Sequence, residues 1–180
     1  QIFNSTSHFS LVDKYGNILS LTSSIESSFG SKIIVNGFIL NNQLTDFSFK
    51  TKDQNGELIK NRPESGKRPL SSMAPLIIFD KNDDFILTIG SPGGKAIISY
   101  VARVLIDIFY NKIDSASSIR KPNYIKIRDK TFVENEYLKK NLKQVSKIRN
   151  LTSGLAIIEN TENGFNGIAD FRRDGTAKGK

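Results

Sequence analysis

Residues 85–110 restrict the fold more than any other stretch of this chain. The apolar run Phe85-Ile86-Leu87-Thr88-Ile89 ends in Gly90-Ser91-Pro92-Gly93-Gly94, after which Ile97, Ile98, Val101, Val104, Leu105 and Ile108 recur at three- and four-residue spacing. The first run reads as a strand and residues 95–110 as a helix, joined by a tight glycine-rich turn. A helix with one apolar face must cover something, and a neighbouring strand supplies a sheet to cover.

The other apolar runs are short and separated by turn chemistry. Residues 8–12 and 18–22 flank Asp13-Lys14-Tyr15-Gly16-Asn17, and residues 75–79 and 85–89 flank Asp80-Lys81-Asn82-Asp83-Asp84, so both pairs read as hairpins. Residues 155–159 and 167–171 form a closing hairpin across Asn163-Gly164. Residues 32–40, around Asn36-Gly37, read as a strand ending in the polar Asn41-Asn42-Gln43, followed by Leu44-Thr45-Asp46-Phe47. Short strands are expected at 124–127 and 131–133, a second helix at 134–145, and a long exposed loop at 50–68. Hairpins in place of regular βαβ alternation point to an α+β protein, antiparallel sheet with helices stacked on it.

The 180 residues fit one domain, and 38% apolar composition suffices for one substantial core. No run approaches the roughly 18 apolar residues of a membrane span, and an export signal would have to lie upstream of Gln1-Ile2-Phe3. Without cysteine, thiol nucleophiles, disulfides and thiolate metal sites are excluded, and one histidine cannot build a histidine cluster. Residues 112–149 carry 11 Lys/Arg against 4 Asp/Glu, which accounts for +7 of the formal +8. Lys139, Lys140, Lys143, Lys147 and Arg149 read as one face of an amphipathic helix, interleaved with Tyr137, Leu138, Leu142 and Val145 at helical spacing. A solvated helix face explains them without any nucleic acid, for which no motif is present.

Four constellations carry chemistry. Thr6-Ser7-His8-Phe9-Ser10 places a threonine just before a strand. It either begins that strand or serves as a nucleophile, which would need a base such as its own α-amine once the preceding bond is cut. Ser71 and Ser72, in Arg68-Pro69-Leu70-Ser71-Ser72-Met73, either cap backbone or donate to a carboxylate. The Gly93 and Gly94 amides, at the start of the expected helix, either form a plain turn or bind an anion or oxyanion. Ser24, Glu26, Gln43 and Asp46 lie near the ends of expected strands, where two carboxylates and an amide could hold an ammonium group or simply face water.

In order and spacing these segments resemble the small subunit of the γ-glutamyltransferases, also called γ-glutamyltranspeptidases or glutathione hydrolases. Thr6-Ser7-His8-Phe9-Ser10 is similar to the family's Thr-Thr-His-Phe-Ser, and Val12-Asp13-Lys14-Tyr15-Gly16-Asn17 to its Val-Asp-Lys-x-Gly-Asn. Lys67-Arg68-Pro69-Leu70-Ser71-Ser72-Met73 and Gly90-Ser91-Pro92-Gly93-Gly94 are the most specific matches. Ala169-Asp170-Phe171-Arg172-Arg173-Asp174-Gly175 resembles Ala-Asp-Pro-Arg-Arg-Asp-Gly, with Phe171 for proline.

The resemblance implies an N-terminal-nucleophile hydrolase with a four-layer αββα sandwich, in which residues 1–5 end a large-subunit or linker segment and residues 6–180 form the catalytic small subunit. It implies that Thr6 is the nucleophile, freed by autocatalytic cleavage between Ser5 and Thr6, with Ser24 bonded to it. By the same resemblance Glu26, Gln43 and Asp46 receive the substrate α-amino group, Ser71 and Ser72 its α-carboxylate, and Gly93 and Gly94 the oxyanion. Residues 50–68 stand where the family has a variable lid loop. The implied partners are a large subunit that supplies an arginine, glutathione or another γ-glutamyl donor, and water or an amino acid or peptide as acceptor. No metal or organic cofactor is implied, and the implied location is periplasmic or extracellular. Two other readings stand beside this one: a related acylase cleaving a glutaryl-type amide of a cephalosporin, and a catalytically silent scaffold or polyanion-binding relative.

Overall fold

The structure, a computed structural model, describes residues 4–142 and 144–179. Two compact units are formed, one from Ser24–Ser72 with the chain start through Thr6, the other from Ser7–Ser23 with Met73 onward. Strands β1 (Asn4–Val12) and β2 (Ile18–Ser27) pair as a two-stranded sheet. Asp13 closes their turn, its Oδ1 accepting the Tyr15 and Asn17 N–H groups at 2.8 and 2.9 Å, as the Asx and glycine residues predict. β1 begins earlier than residue 8, so Thr6 lies within the strand and not ahead of it.

In the first unit, β3 (Ile34–Val35) and β4 (Phe38–Ile39) form a minimal antiparallel hairpin. This corrects the single strand expected over 32–40. Asn36 and Gly37 both take positive φ, 48° and 82°, which is the backbone a two-residue hairpin turn requires and which reverses the chain. A 3₁₀ turn, Gln43–Asp46, follows. Residues 50–68 contain no long strand or helix but are folded locally: Asp53 Oδ1 accepts the Asn55 and Glu57 N–H groups, and Lys52 pairs with Leu58.

The second unit continues with β5 (Leu76–Phe79) and β6 (Phe85–Gly90), then a 3₁₀ turn (Gly94–Ala96), helix α1 (Ile97–Leu105) and a π-helical turn (Ile106–Tyr110). Helix α2 (Ser115–Arg120), β7 (Tyr124–Ile127), β8 (Lys130–Val133), helix α3 (Glu136–Asn141), β9 (Val145–Ile148), β10 (Ala156–Thr161), β11 (Gly164–Ala169) and a 3₁₀ turn (Phe171–Arg173) complete it. One sheet has the order β11-β10-β6-β5, antiparallel throughout. In α1, Ile98 of the series read from sequence is exposed, whereas Ile97, Val101 and Val104 are buried as the spacing predicts, and Tyr100 with them. They join Leu87 and Ile89 of β6, Ile157 of β10 and Ile125 and Phe132 of the β7-β8-β9 sheet in one core. Each such aliphatic side chain contributes about 2 kcal/mol by leaving water.

Three findings depart from expectation here. Helix α2, capped by Asp114 whose Oδ1 accepts the Ser117 N–H at 2.8 Å, is too short to show an apolar period. The helix expected over 134–145 stops at Asn141, and Val145 begins a strand that runs parallel to β8. Gln144 turns the chain with φ 60°, and the helix between β8 and β9 makes a crossover, so the sheets are not wholly antiparallel. The basic helix face is consequently not formed. Lys139 and Lys140 lie on α3, Lys147 on β9, and the Arg149 guanidinium stacks 4.1 Å over the Phe132 ring, while Lys143 lies outside the described residues.

The one histidine is built into the second unit. Its Nδ1 meets Thr22 Oγ1 at 2.8 Å and its Nε2 meets Ser10 Oγ at 3.2 Å, with Ser10 in turn 3.3 Å from Thr88 Oγ1. The ring packs over Gly90 so closely that a Cβ there would lie 2.2 Å from Cε1. Burial pushes the His8 pKa down from 6.5 to about 4, and only uncharged groups bond to the ring. Above pH 6.5 both folded and unfolded chains hold it neutral; as pH falls from 6.5 to 4 the unfolded chain takes up the proton first, so folding stability declines. The urea midpoint is expected to drop between pH 7 and pH 5, and the drop to shrink in His8→Gln.

Candidate active site

In the first unit, Thr6 sits in β1 with 8% of its surface exposed, and its hydroxyl donates to Ser24 Oγ at 3.1 Å. Ser24 Oγ also accepts the Glu26 N–H at 2.9 Å. Glu26 takes φ 69°, a backbone conformation that costs a non-glycine residue of order 1 kcal/mol or more and persists only where neighbours hold it. The neighbours are identifiable. Glu26 Oε2 accepts from Ser27 Oγ and Asn42 Nδ2, each at 2.6 Å, and from Thr45 Oγ1 at 3.4 Å.

Thr45 belongs to the Gln43–Asp46 turn, so Glu26 is held against the element that carries Gln43 and Asp46. Gln43 Nε2 donates to Asp46 Oδ2. Glu26 Oε1 and Asp46 Oδ1 receive no hydrogen bond among the described residues, which leaves each carboxylate an acceptor for a cation. Gln43 and Asp46 thus lie on a 3₁₀ turn, not beside a strand end. Ser71 is exposed and Ser72 half-buried, both in irregular backbone ahead of β5.

Two site residues escaped the sequence reading. Asn42 links Glu26 to the turn, its Oδ1 accepting the Ser27 N–H at 3.0 Å while its Nδ2 bonds the Glu26 carboxylate. Asn61 donates from Nδ2 to the Asp46 carbonyl at 2.7 Å and accepts the Leu70 N–H on Oδ1 at 2.9 Å. The only sequence signal for Asn42 was its place in the Asn41-Asn42-Gln43 run; nothing local marks Asn61.

Gly93 and Gly94 belong to the second unit. Ser91, fully buried, donates to the Pro92 carbonyl at 2.7 Å and accepts the Gly154 N–H at 3.1 Å, which pins the loop. Gly93 has φ 141°, and a Cβ there would meet the Tyr100 ring at 2.7 Å, so only glycine fits. Neither the Gly93 nor the Gly94 amide is engaged among the described residues, and successive N–H groups of this kind can receive a developing negative charge.

The buried threonine, the two carboxylates and the glycine turn all lie on the motifs that carried the resemblance, and the sequence pattern described as Gamma-glutamyltranspeptidase matches residues 3–180. This chain belongs to the γ-glutamyltranspeptidase family. Among its relatives the glutathione hydrolase proenzyme of Bacillus subtilis (strain 168) is 34% identical over 97% of this chain and 30% of its own length. Glutathione hydrolase 4 of Arabidopsis thaliana, whose name includes an inactive designation, is 37% identical over 65% of this chain and 64% of its own length. A mutant of Helicobacter pylori γ-glutamyltranspeptidase superposes with a TM-score of 0.76 at 30% identity, covering 92% of this chain and 98% of that one. The cephalosporin acylase of Bacillus halodurans, at 21% identity, shares the fold with a TM-score of 0.77 over 96% of this chain and 34% of its own. The fold is therefore that of the γ-glutamyltranspeptidases and N-terminal-nucleophile acylases, as the resemblance implied. The chain spans less than a third of the Bacillus subtilis relative's length.

Proposed function

We propose that this chain is the catalytic small-subunit part of a γ-glutamyltransferase and glutathione hydrolase that matures by cleavage between Ser5 and Thr6. The observation that carries the reading is the Thr6 hydroxyl, buried and donating to Ser24, in one unit with the Glu26, Gln43 and Asp46 cluster. In the uncut chain the Thr6 nitrogen is an amide. Attack of Oγ1 on the Ser5 carbonyl forms an ester as the peptide C–N bond breaks, and hydrolysis of that ester leaves Thr6 with a free α-amine.

That amine, with an ordinary pKa near 8, then takes the Thr6 hydroxyl proton as Oγ1 attacks the γ-amide carbonyl of a donor. The Gly93 and Gly94 amides are the proposed donors to the oxyanion. Collapse expels the amine, which carries away the proton, and leaves a γ-glutamyl ester on Thr6. Water or an acceptor amine resolves the ester. Glu26, Gln43 and Asp46 receive the donor's α-ammonium, and Ser71 and Ser72 its α-carboxylate, with a large subunit from the same precursor completing the pocket.

The two carboxylates favour a substrate with an α-amino group over the glutaryl amide of an acylase, because each keeps an oxygen open among the described residues that can accept from an ammonium, which a glutaryl group lacks. The test is the matured full-length precursor assayed on a γ-glutamyl anilide and on a glutaryl anilide, which lacks only the α-amino group. Preference for the first supports the transferase, preference for the second the acylase, and a folded, uncleaved, inert protein the silent relative. Asp46→Asn is expected to lower kcat/KM on the γ-glutamyl anilide by about 10- to 100-fold, as loss of a charged hydrogen bond predicts, with maturation unchanged by intact mass.

A further inference from the structure

We propose that Asn61 is a positioning residue that sets the separation between the ammonium-binding and carboxylate-binding halves of the donor site, an assignment that rests on the function proposed above. Asn61 is half-buried and lies in the 50–68 segment, far in sequence from the residues it holds. Its Nδ2 donates to the carbonyl of Asp46, the last residue of the Gln43–Asp46 turn, at 2.7 Å. Its Oδ1 accepts the N–H of Leu70, the residue directly before Ser71, at 2.9 Å. Its own carbonyl accepts the Ser48 N–H at 2.8 Å, which ties the chain just past the turn to the same point.

One planar amide therefore bonds the segment that presents Asp46 and the segment that presents Ser71 and Ser72. An α-amino acid carries its ammonium and carboxylate on a single carbon, so acceptors for one and donors for the other are useful only at a fixed spacing. Leu70, Ser71 and Ser72 lie in irregular backbone, and the Asn61 bond ties the start of this segment, at Leu70, to the turn that carries Asp46. The bridge needs a donor and an acceptor on one rigid group. Aspartate would keep the bond to Leu70 and lose the one to Asp46, while alanine would lose both. Because this end of the donor is remote from the γ-carbonyl, slackening it should affect KM and selectivity more than the bond-breaking step.

The experiment is steady-state kinetics of matured full-length wild type, Asn61→Ala and Asn61→Asp on the γ-glutamyl and glutaryl anilides, with maturation followed by intact mass. Asn61→Ala is expected to lower kcat/KM on the γ-glutamyl anilide about 10- to 100-fold, mainly through KM. The preference over the glutaryl anilide should narrow while maturation proceeds, and Asn61→Asp should fall between alanine and wild type. An active wild type whose variants keep its KM and its preference, or lose kcat equally on both anilides, overturns the positioning role alone. A wild type inert on both anilides overturns the proposed function and this role with it. Should the alanine variant fail to fold, Asn61→Asp, which keeps the side chain's size and its acceptor, decides the matter on the same readouts.

Discussion

Thr6→Ala in the full-length precursor is expected to remain a single uncut chain and to lose γ-glutamyl anilide turnover by at least about a thousandfold. Alanine removes the oxygen that both reactions require: the attack on the Ser5 carbonyl that releases the α-amine, and the attack on the donor that forms the ester. The fold should survive the change. Thr6 contributes a hydrogen bond to Ser24 Oγ, and that oxygen keeps the Glu26 N–H as a partner, so the loss of stability should stay near 1 kcal/mol. Thr6→Ser, which retains the hydroxyl, should mature and turn over, with a lower rate because the methyl that restricts the rotamer is gone. Intact mass, a denaturation midpoint and the anilide assay on the three proteins separate these outcomes. Cleavage or full activity in Thr6→Ala would remove this residue from the mechanism.

The second large effect is structural. Arg172→Leu is expected to destabilise the fold by about 3 kcal/mol or more, measured by chemical denaturation. The Arg172 side chain is only 6% exposed, and all five of its N–H groups find acceptors. Nε and Nη2 form a fork on the Glu134 carboxylate at 2.6 and 3.0 Å, Nη1 reaches the Ile119 carbonyl and Asp170 Oδ1, and Nη2 also reaches the Lys121 carbonyl.

Asp170, 1% exposed, accepts further from Ser153 Oγ and from the Arg172 N–H. Leucine would leave two carboxylates and two carbonyls short of partners in a region with little water. Arg172→Lys keeps the charge but not the planar fork, and should recover only part of the stability. A loss below about 1 kcal/mol in Arg172→Leu would show that water replaces the guanidinium readily. The Ala169-Asp170-Phe171-Arg172-Arg173-Asp174-Gly175 motif is thereby explained as a structural knot joining the end of β11 to α2 and β8.

Local chemistry made much of this legible. Asp13 and Asp80 each close a hairpin through the side-chain Oδ1, which accepts the N–H groups two and four residues ahead, so the turns needed no distant partner. Helix α1 shows its burial in its spacing because a single face meets the core. The short elements were harder to read. Tyr137, Leu138, Leu142 and Val145 imitate a helical period, yet Val145 is drawn into a strand beside β8, a parallel pairing that no local pattern encodes. Within 32–40 the β-branched run outweighed the Asn36-Gly37 turn, although that pair alone specifies the reversal.

At the candidate site the division has the same cause. The sequence by itself determined the family, the nucleophile candidate and the chemical kinds of group at hand, since hydroxyls, carboxylates and glycines at fixed spacing are properties of residue type and order. Only the tertiary structure decided that Thr6 is buried against Ser24, that Glu26 is held in a strained backbone by Asn42, and that Asn61 joins Asp46 to Leu70. A hydrogen bond is set by distance and direction, and residues 9 to 18 positions apart, as in these last contacts, come within 3 Å or so only after the chain has folded back on itself.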